Sequence, residues 1–470
     1  MSELHYLPAY RLAELVGSGE LSSVEVVDAH LRRIAALNPR LNAFVQVAEQ
    51  SAHAAAIAAD HAQTRKISPG LLHGVPISIK GSIDVAGLRN EAGTKLRAGS
   101  IATADAVLVT RLKNAGAIVL GSTNSPELLM AWETDNAIYG RTNNPWDFSR
   151  TPGGSSGGES AAIAAGMSAG GVGSDGGGSI RVPAHSTGIC GLKPTPGRIP
   201  ASGHFPVSVG PFALLGVVGP MARTVADLKL LFEVMQGPDI GDPSAAPVPV
   251  RWPDRKSLKQ ITVGYFEDDG CVPVTAETRA AVQQGVAALK SAGMQVERCK
   301  IDGLEEARKL WWQFFGVAGS MLLGPMLRGR ETELSDILKE FNTWVAADPP
   351  HTAESLLDCW IKRDQVRMKV FEQMQKYPVL LCPVAPIPAF GHGERAWEVD
   401  GVKVSYLEAW RYCAWFNLLG MPAASLPVGF SRERLPIGVQ IAAQPWQEEL
   451  VLSVAEMMER ELGMFPSPPI

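Results

Sequence analysis

Gly153-Gly154-Ser155-Ser156-Gly157-Gly158, then a short alanine-rich segment, then Gly173-Ser174-Asp175-Gly176-Gly177-Gly178-Ser179-Ile180-Arg181-Val182-Pro183: the chain is organised around these two glycine–serine clusters. Glycine is favoured where the backbone takes positive φ or brings N–H groups against a ligand. A serine in such a turn sets a nucleophilic hydroxyl beside backbone donors, which together form a candidate acyl-transfer site. A lone glycine-rich turn is more often structural punctuation. The pairing of two such turns is what points to chemistry.

The flanking sequence alternates between strand and helix signals. Val75-Pro76-Ile77-Ser78-Ile79-Lys80, Ala117-Ile118-Val119-Leu120-Gly121, Gln260 to Phe266, Met294 to Cys299, Val379-Leu380-Leu381-Cys382-Pro383 and Pro436 to Ile441 read as strands. Helical spacing runs through 9–36, with Ser22 or Ser23 as N-cap, and through 47–64, which Pro69-Gly70 ends. Helices are also expected at the end of Thr110 to Ala115, at Ser125 to Trp132, Thr224 to Met235, Thr275 to Ala292, over most of 304–375, and at Glu448 to Glu461. Pro206 to Ala222 reads as buried loop and strand, Gly191 to Gly197 as turn, and 237–258 as a long surface loop. Apolar strands alternating with helices argue for an α/β fold whose sheet is covered on both faces. No repeat or low-complexity linker divides the chain, so 1–470 is expected to be a single domain: a helical lead-in at 1–65, a catalytic core at 70–235, a variable, mostly helical region at 236–378, and at 379–470 the rest of the sheet with a closing helix.

Composition excludes several classes. At 46% hydrophobic and 19% charged, the 470 residues describe an ordinary globular protein. A net charge of −5 without Lys/Arg runs gives no footprint for nucleic acid or an anionic membrane. Residues 1–15 lack the apolar core of a signal peptide, and the weakly polar run at 206–222 is too broken by Gly and Pro to span a membrane. A cytoplasmic location is the expectation. The six scattered cysteines form no C-x-x-C pair and read as reduced thiols, so no zinc site or disulfide frame is expected.

Ser179 follows three glycines and is the candidate nucleophile. Its base is harder to place. His185 lies six residues away, but no G-x-S-x-G elbow accompanies a Ser-His-Asp scheme. Lys80 ends an apolar strand, where burial disfavours its charged form and leaves an amine able to accept a proton. A lone lysine at a strand end is more often solvated. Ser155 and Ser156 have two readings: a hydroxyl that relays a proton between Ser179 and Lys80, or a cap for the helix starting near Glu159.

The pattern G-G-S-S-G-G-E-S, followed by Gly173-x-Asp175-x-Gly177-x-Ser179-Ile180-Arg181-x-Pro183, resembles the amidase signature family, including the 24-residue offset from Ser155 to Ser179. The likeness extends to Leu72–Lys80, Thr123-Asn124, Asn144-Pro145-Trp146, Gly191–Thr195 and Pro436–Gln440, and covers about 8–235 and 378–460. It implies a single large α/β/α sandwich around a central mixed sheet. It implies Ser179 as acyl-accepting nucleophile, Ser155 as a bridging serine held by a cis peptide, and Lys80 as base. Backbone N–H groups of Gly176, Gly177, Gly178 and Ser179 would form the oxyanion hole. Ser156 and Asp175 would hold the serines and the turn, Arg181 would fix the loop, and Leu129 would line the site through its carbonyl.

Two positions depart from the family pattern. Residue 176 is glycine where threonine or isoleucine is usual, which is expected to loosen the turn or widen the site. Residue 81 is glycine where an acid often follows the lysine, leaving less negative charge near Lys80. Met130, Trp132, Trp311, Trp312, Phe314, Phe315, Met321 and Met326 supply material for an apolar pocket, unless 310–327 only packs in the core. The resemblance thus implies a serine hydrolase of C–N bonds acting on a hydrophobic or aromatic acyl amide, or a carbamate or ester, with no metal or cofactor, as monomer or homodimer. Residues Lys193–Arg198 and Gly203–Pro206 look more like stand-alone and fatty-acid-amide-type members. The alternatives are a glutamine-amidase subunit of a tRNA amidotransferase, which needs a partner, and a binding protein that keeps the fold without activity.

Overall fold

A computed structural model describes residues 4–65 and 70–470; Pro69, expected to end a helix, lies outside them. Among the described residues there are thirteen strands: β1 (Phe44–Val47), β2 (Pro76–Lys80), β3 (Ile118–Thr123), β4 (Gly170–Asp175), β5 (Cys190–Lys193), β6 (Val217–Ala222), β7 (Thr262–Tyr265), β8 (Gln295–Arg298), β9 (Val379–Pro383), β10 (Ala396–Val399), β11 (Val402–Ser405), β12 (Ala423–Phe430) and β13 (Pro436–Ala443). Eleven form one sheet in the order β1-β3-β2-β4-β6-β5-β12-β13-β9-β7-β8, and β10 pairs with β11 as a separate hairpin. The sheet is mixed: β2 runs parallel to β3 and β4, and β7 to β8 and β9, whereas β4–β6, β5–β12 and β12–β13 are antiparallel.

Continuous apolar strands serve two cores at once. Ile118 and Leu120 face one side and Val119 the other, and Leu381 opposes Leu380 and Cys382 in the same way. Ala9–Ser18, Val107–Asn114, Val225–Met235, Ala276–Ser291 and Glu448–Leu462 cover one face. Ser23–Leu41, Glu49–Thr64, Gly157–Ala164, Leu304–Trp312 and Arg411–Leu418 bury apolar residues in the cores of the other. Ser22 caps Ser23–Leu41 with a capping box: its Oγ accepts from the Glu25 N–H, and its own N–H donates to the Glu25 carboxylate.

Several expectations are corrected. Ser125 to Trp132 carries helical spacing but forms only a 3₁₀ turn at Glu127–Leu129, with Leu128 and Leu129 at φ 51° and 66°. Tertiary bonds win there: the Leu128 N–H donates to the Ala92 carbonyl, and the Glu127 carboxylate accepts from Thr94 Oγ1 and the Ser335 N–H. Cys190–Lys193 is a strand rather than part of a turn. The lead-in holds strand β1 between its helices. Leu304–Leu327 is long and apolar enough to cross a bilayer by length and composition, yet Trp311, Phe314 and Val317 within it are buried in this fold. We read it as a packed helix.

Candidate active site

Three segments meet around one buried lysine. Strand β2 carries Lys80 at its end, the turn before Gly157–Ala164 carries Ser155 and Ser156, and β4 carries Ser174. Lys80 Nζ donates to Ser155 Oγ at 2.7 Å, Ser156 Oγ at 2.9 Å and Ser174 Oγ at 3.0 Å, which uses the three donors of an ammonium. The Gly154–Ser155 peptide is cis. Ser156 Oγ also donates to the Ser174 carbonyl and accepts from the Ser174 N–H, so it ties the turn to β4.

The glycines of β4 explain why this segment is not among the strands read from the sequence. A Cβ at Gly171 would lie 1.9 Å from Glu159 Oε1 and 2.3 Å from the Ser78 carbonyl oxygen. Glycine is depleted in strands in general, but here it lets a buried carboxyl approach the sheet. Glu159 accepts from Ser78 Oγ at 2.5 Å and Thr123 Oγ1 at 2.7 Å, and burial raises its pKa to about 7. Burial lowers Lys80 to about 7, while the negative charges of Asp175 and Glu159 pull it back up. A neutral amine is therefore within reach at ordinary pH. Gly81 reflects space as well: a Cβ there would meet the Thr123 carbonyl oxygen at 2.7 Å.

Beyond β4 the second cluster is a tightly bonded turn. Asp175 accepts from the Gly178 N–H at 2.7 Å and the Ile180 N–H at 3.1 Å, and two N–H groups of Arg181 reach its two oxygens, each at 3.0 Å. Burial opposes that charge, but the Arg181 guanidinium holds the Asp175 carboxyl well below the usual carboxylate range. Arg181 is held in turn by Gln440 Oε1 at 2.9 Å and Asn417 Oδ1 at 2.6 Å. The Gly178 N–H is thus committed to Asp175, contrary to its expected place in an oxyanion hole. The N–H groups of Gly176, Gly177 and Ser179 have no acceptor among the described residues.

Ser155, Ser179, Leu128, Leu129, Met130, Gly176, His204, Phe212, Val217, Val218 and Phe315 line one cavity. Its walls are largely apolar. Trp132 sits behind the turn instead: its Nε1 donates to the Gly177 carbonyl at 3.1 Å, and its ring stacks on Trp410 with centroids 4.7 Å apart. The 310–327 segment divides its roles: Phe315 faces the cavity, Phe314 is buried, and Met321 is exposed.

His185 is eliminated as a base by its own bonds. The Gly438 N–H donates to its Nδ1 at 2.9 Å, and its Nε2 meets the Ile387 carbonyl at 3.0 Å, so the network assigns a neutral ring occupied by backbone. Sequence reading missed Ser174, Glu159, Ser78, Thr123 and Asn417. Ser174 and Glu159 stand within the two-cluster pattern, and Ser78 and Thr123 within segments of family likeness; only Asn417 lies outside every motif the sequence singles out. Asp269, Cys271 and Glu305 bring ligand atoms within 4.8 Å of one another, but Arg411 already pairs with both carboxylates.

Residues 25–452 match the family described as Amidase. The chain is 35% identical to an indoleacetamide hydrolase of Bradyrhizobium diazoefficiens over 96% of its length and 86% of that protein. It is 31% identical to one subunit of the glutamyl-tRNA(Gln) amidotransferase of Carboxydothermus hydrogenoformans, with 97% and 98% covered. A solved bacterial aryl acylamidase of the amidase signature enzymes superposes with a TM-score of 0.86 at 26% identity, over 98% of this chain and 97% of that one. A lysine, two serines and a glycine turn on a mixed sheet are thus accompanied by similarity along nearly the whole chain, which belongs to the amidase signature family of amide hydrolases.

Proposed function

We propose that the chain, working as one unit, hydrolyses amides with a hydrophobic or aromatic acyl group through an acyl-enzyme on Ser179. The observation that carries this reading is the 2.7 Å contact between Lys80 Nζ and Ser155 Oγ at the edge of a cavity that Ser155 shares with Ser179. Ser179 Oγ attacks the amide carbonyl and passes its proton to Ser155 Oγ, whose own proton moves to neutral Lys80. The oxyanion takes N–H bonds from Gly176, Gly177 and Ser179, donors that typically account for about 10²–10³ in rate each. Collapse breaks the C–N bond. The proton held by Lys80 returns through Ser155 to the leaving amine, and water then releases the acid along the same path.

The cavity walls favour this over the glutamine-hydrolysing alternative. Among the described lining residues the only ionised group is Asp175, already paired with Arg181, so the α-ammonium and α-carboxylate of glutamine would find no charged partner. Purified chain without any partner is expected to turn over anilides and arylacetamides in a screen that also holds glutamine, long-chain amides, aryl carbamates and esters. Turnover of glutamine alone, or only on adding a second protein, would overturn the stand-alone reading.

Protonation supplies a second test. Hydrolysis needs the neutral amine, so kcat/KM is expected to rise with pH through about 7. The Glu159 charge favours the ammonium, so Glu159→Gln is expected to move that rising limb to lower pH. A limb that stays in place would show that the two groups do not communicate.

A further inference from the structure

Gly176 takes the place of the side chain that the family usually carries there, and its surroundings show why. Its φ is one that any L-residue adopts, so the backbone does not require glycine. Space does: an added Cβ would lie 2.9 Å from Phe315 Cε2. Phe315 is not free to swing aside, because Trp311 stacks on it with centroids 4.8 Å apart at 13°, and Phe212 and Phe341 meet it edge-on, each at 6.3 Å. At Gly177 an added Cβ would meet Trp311 Cζ2 at 2.3 Å. Trp311 Nε1 donates to the Gly176 carbonyl at 2.8 Å from a position outside the cavity wall. The 176–177 peptide is trans, so its N–H points opposite to its carbonyl. An indole that grips the Gly176 oxygen therefore turns the Gly177 N–H away from Trp311. A π-helical turn, Gln313–Ala318, follows Trp311 and carries Phe315.

We propose that Trp311 is a positioning residue that aims the Gly177 N–H at the reacting carbonyl, and that Phe315 is the specificity-determining wall in the space a residue-176 side chain would fill, restricting the site to amides with flat acyl groups. This rests on the acyl-enzyme reading above. It corrects the expectation that Gly176 widens the site, because the room it leaves is already taken.

Three measurements test it. Trp311→Phe keeps an aromatic ring against Phe315 but removes the N–H; kcat for an anilide is expected to fall roughly tenfold, less than loss of a whole oxyanion donor, with KM within about twofold. Phe315→Ala, and Phe315→Leu should the first fail to fold, is expected to raise kcat/KM for branched or bicyclic acyl anilides relative to acetanilide by about tenfold, in the range a pocket's size discrimination spans. Gly176→Ala is expected to lower Tm in the parent but not in the Phe315→Ala or Phe315→Leu background. That melt needs no turnover, so it judges the wall even if the wild type hydrolyses nothing in the screen, an outcome that would fell the functional reading by itself. An unchanged kcat in Trp311→Phe would overturn the positioning role. An unchanged acyl preference in the Phe315 variants, or equal Tm losses for Gly176→Ala in both backgrounds, would overturn the wall.

Discussion

Ser179→Ala is expected to lower kcat/KM for an anilide by a factor on the order of 10⁵ or more, while the fold is retained. The size follows from removing the attacking atom itself, which forfeits the covalent route almost entirely. The hydroxyls around Lys80 are already engaged: Ser155 and Ser174 are bonded to Lys80, and Ser156 is bonded both to Lys80 and to the backbone of Ser174. The backbone contribution of residue 179, a carbonyl that accepts from the Ser156 N–H at 3.1 Å, survives the substitution. Thermal unfolding is therefore expected to change by no more than about 1 kcal/mol. An organofluorophosphonate is expected to label Ser179 in the wild type and nothing in Ser179→Ala. Labelling of Ser155 with activity retained in Ser179→Ala would exchange the roles of the two serines.

The parts legible in the sequence were those whose signal is local. Apolar runs such as Val379–Pro383 named strands, and Ser22, offered together with Ser23, named a helix N-cap. The two glycine–serine clusters and Lys80 came together in one place, as their family resemblance implies. What escaped depended on groups far apart in the chain. Strand β4 carried no apolar strand signal, because the reason for its glycines, the approach of Glu159 and Ser156, is set by another element. Leu128 and Leu129 fitted helical spacing, but long-range bonds on Glu127 and the Leu128 N–H turned them into a cavity wall. Gly178 looked like one donor among equals until Asp175 was seen to hold its N–H. Trp132 was expected in the pocket for its apolar bulk, whereas its single polar atom decides its place behind the turn.

That division also bears on how the site is held. The glycine turn is bonded from three directions: by Asp175 with Arg181 below, by Asn417 and Gln440 from the C-terminal third, and by the indoles of Trp132 and Trp311 behind. The C-terminal strand segment Pro436–Gln440, which carries part of the family resemblance, reaches the turn through Gln440 on Arg181. Backbone donors fixed in this way need little reorganisation when charge develops on a carbonyl oxygen, and that lack of reorganisation is the source of their leverage.

Lys80→Met keeps most of the side-chain volume and removes the amine, and is expected to cut kcat by about 10²–10⁴, the usual scale of general-base catalysis. The residual rate should lose its dependence on pH near 7. The same variant tests the buried amine through stability. Burial puts the folded-state pKa at about 7, against an ordinary value of 10.5, so between those limits the unfolded chain holds a proton that the folded chain has released. Stability then rises with pH across that window as far as this group is concerned, because the unfolded state binds more protons. Below about pH 7 both states are charged and the full cost of burying the ammonium falls on the fold. Lys80→Met is expected to abolish this rise, so denaturant titrations from pH 7 to 10 should show a smaller positive slope for the variant than for the wild type. Equal slopes would place the wild-type amine in its ordinary range, charged at neutral pH and unable to serve as the base.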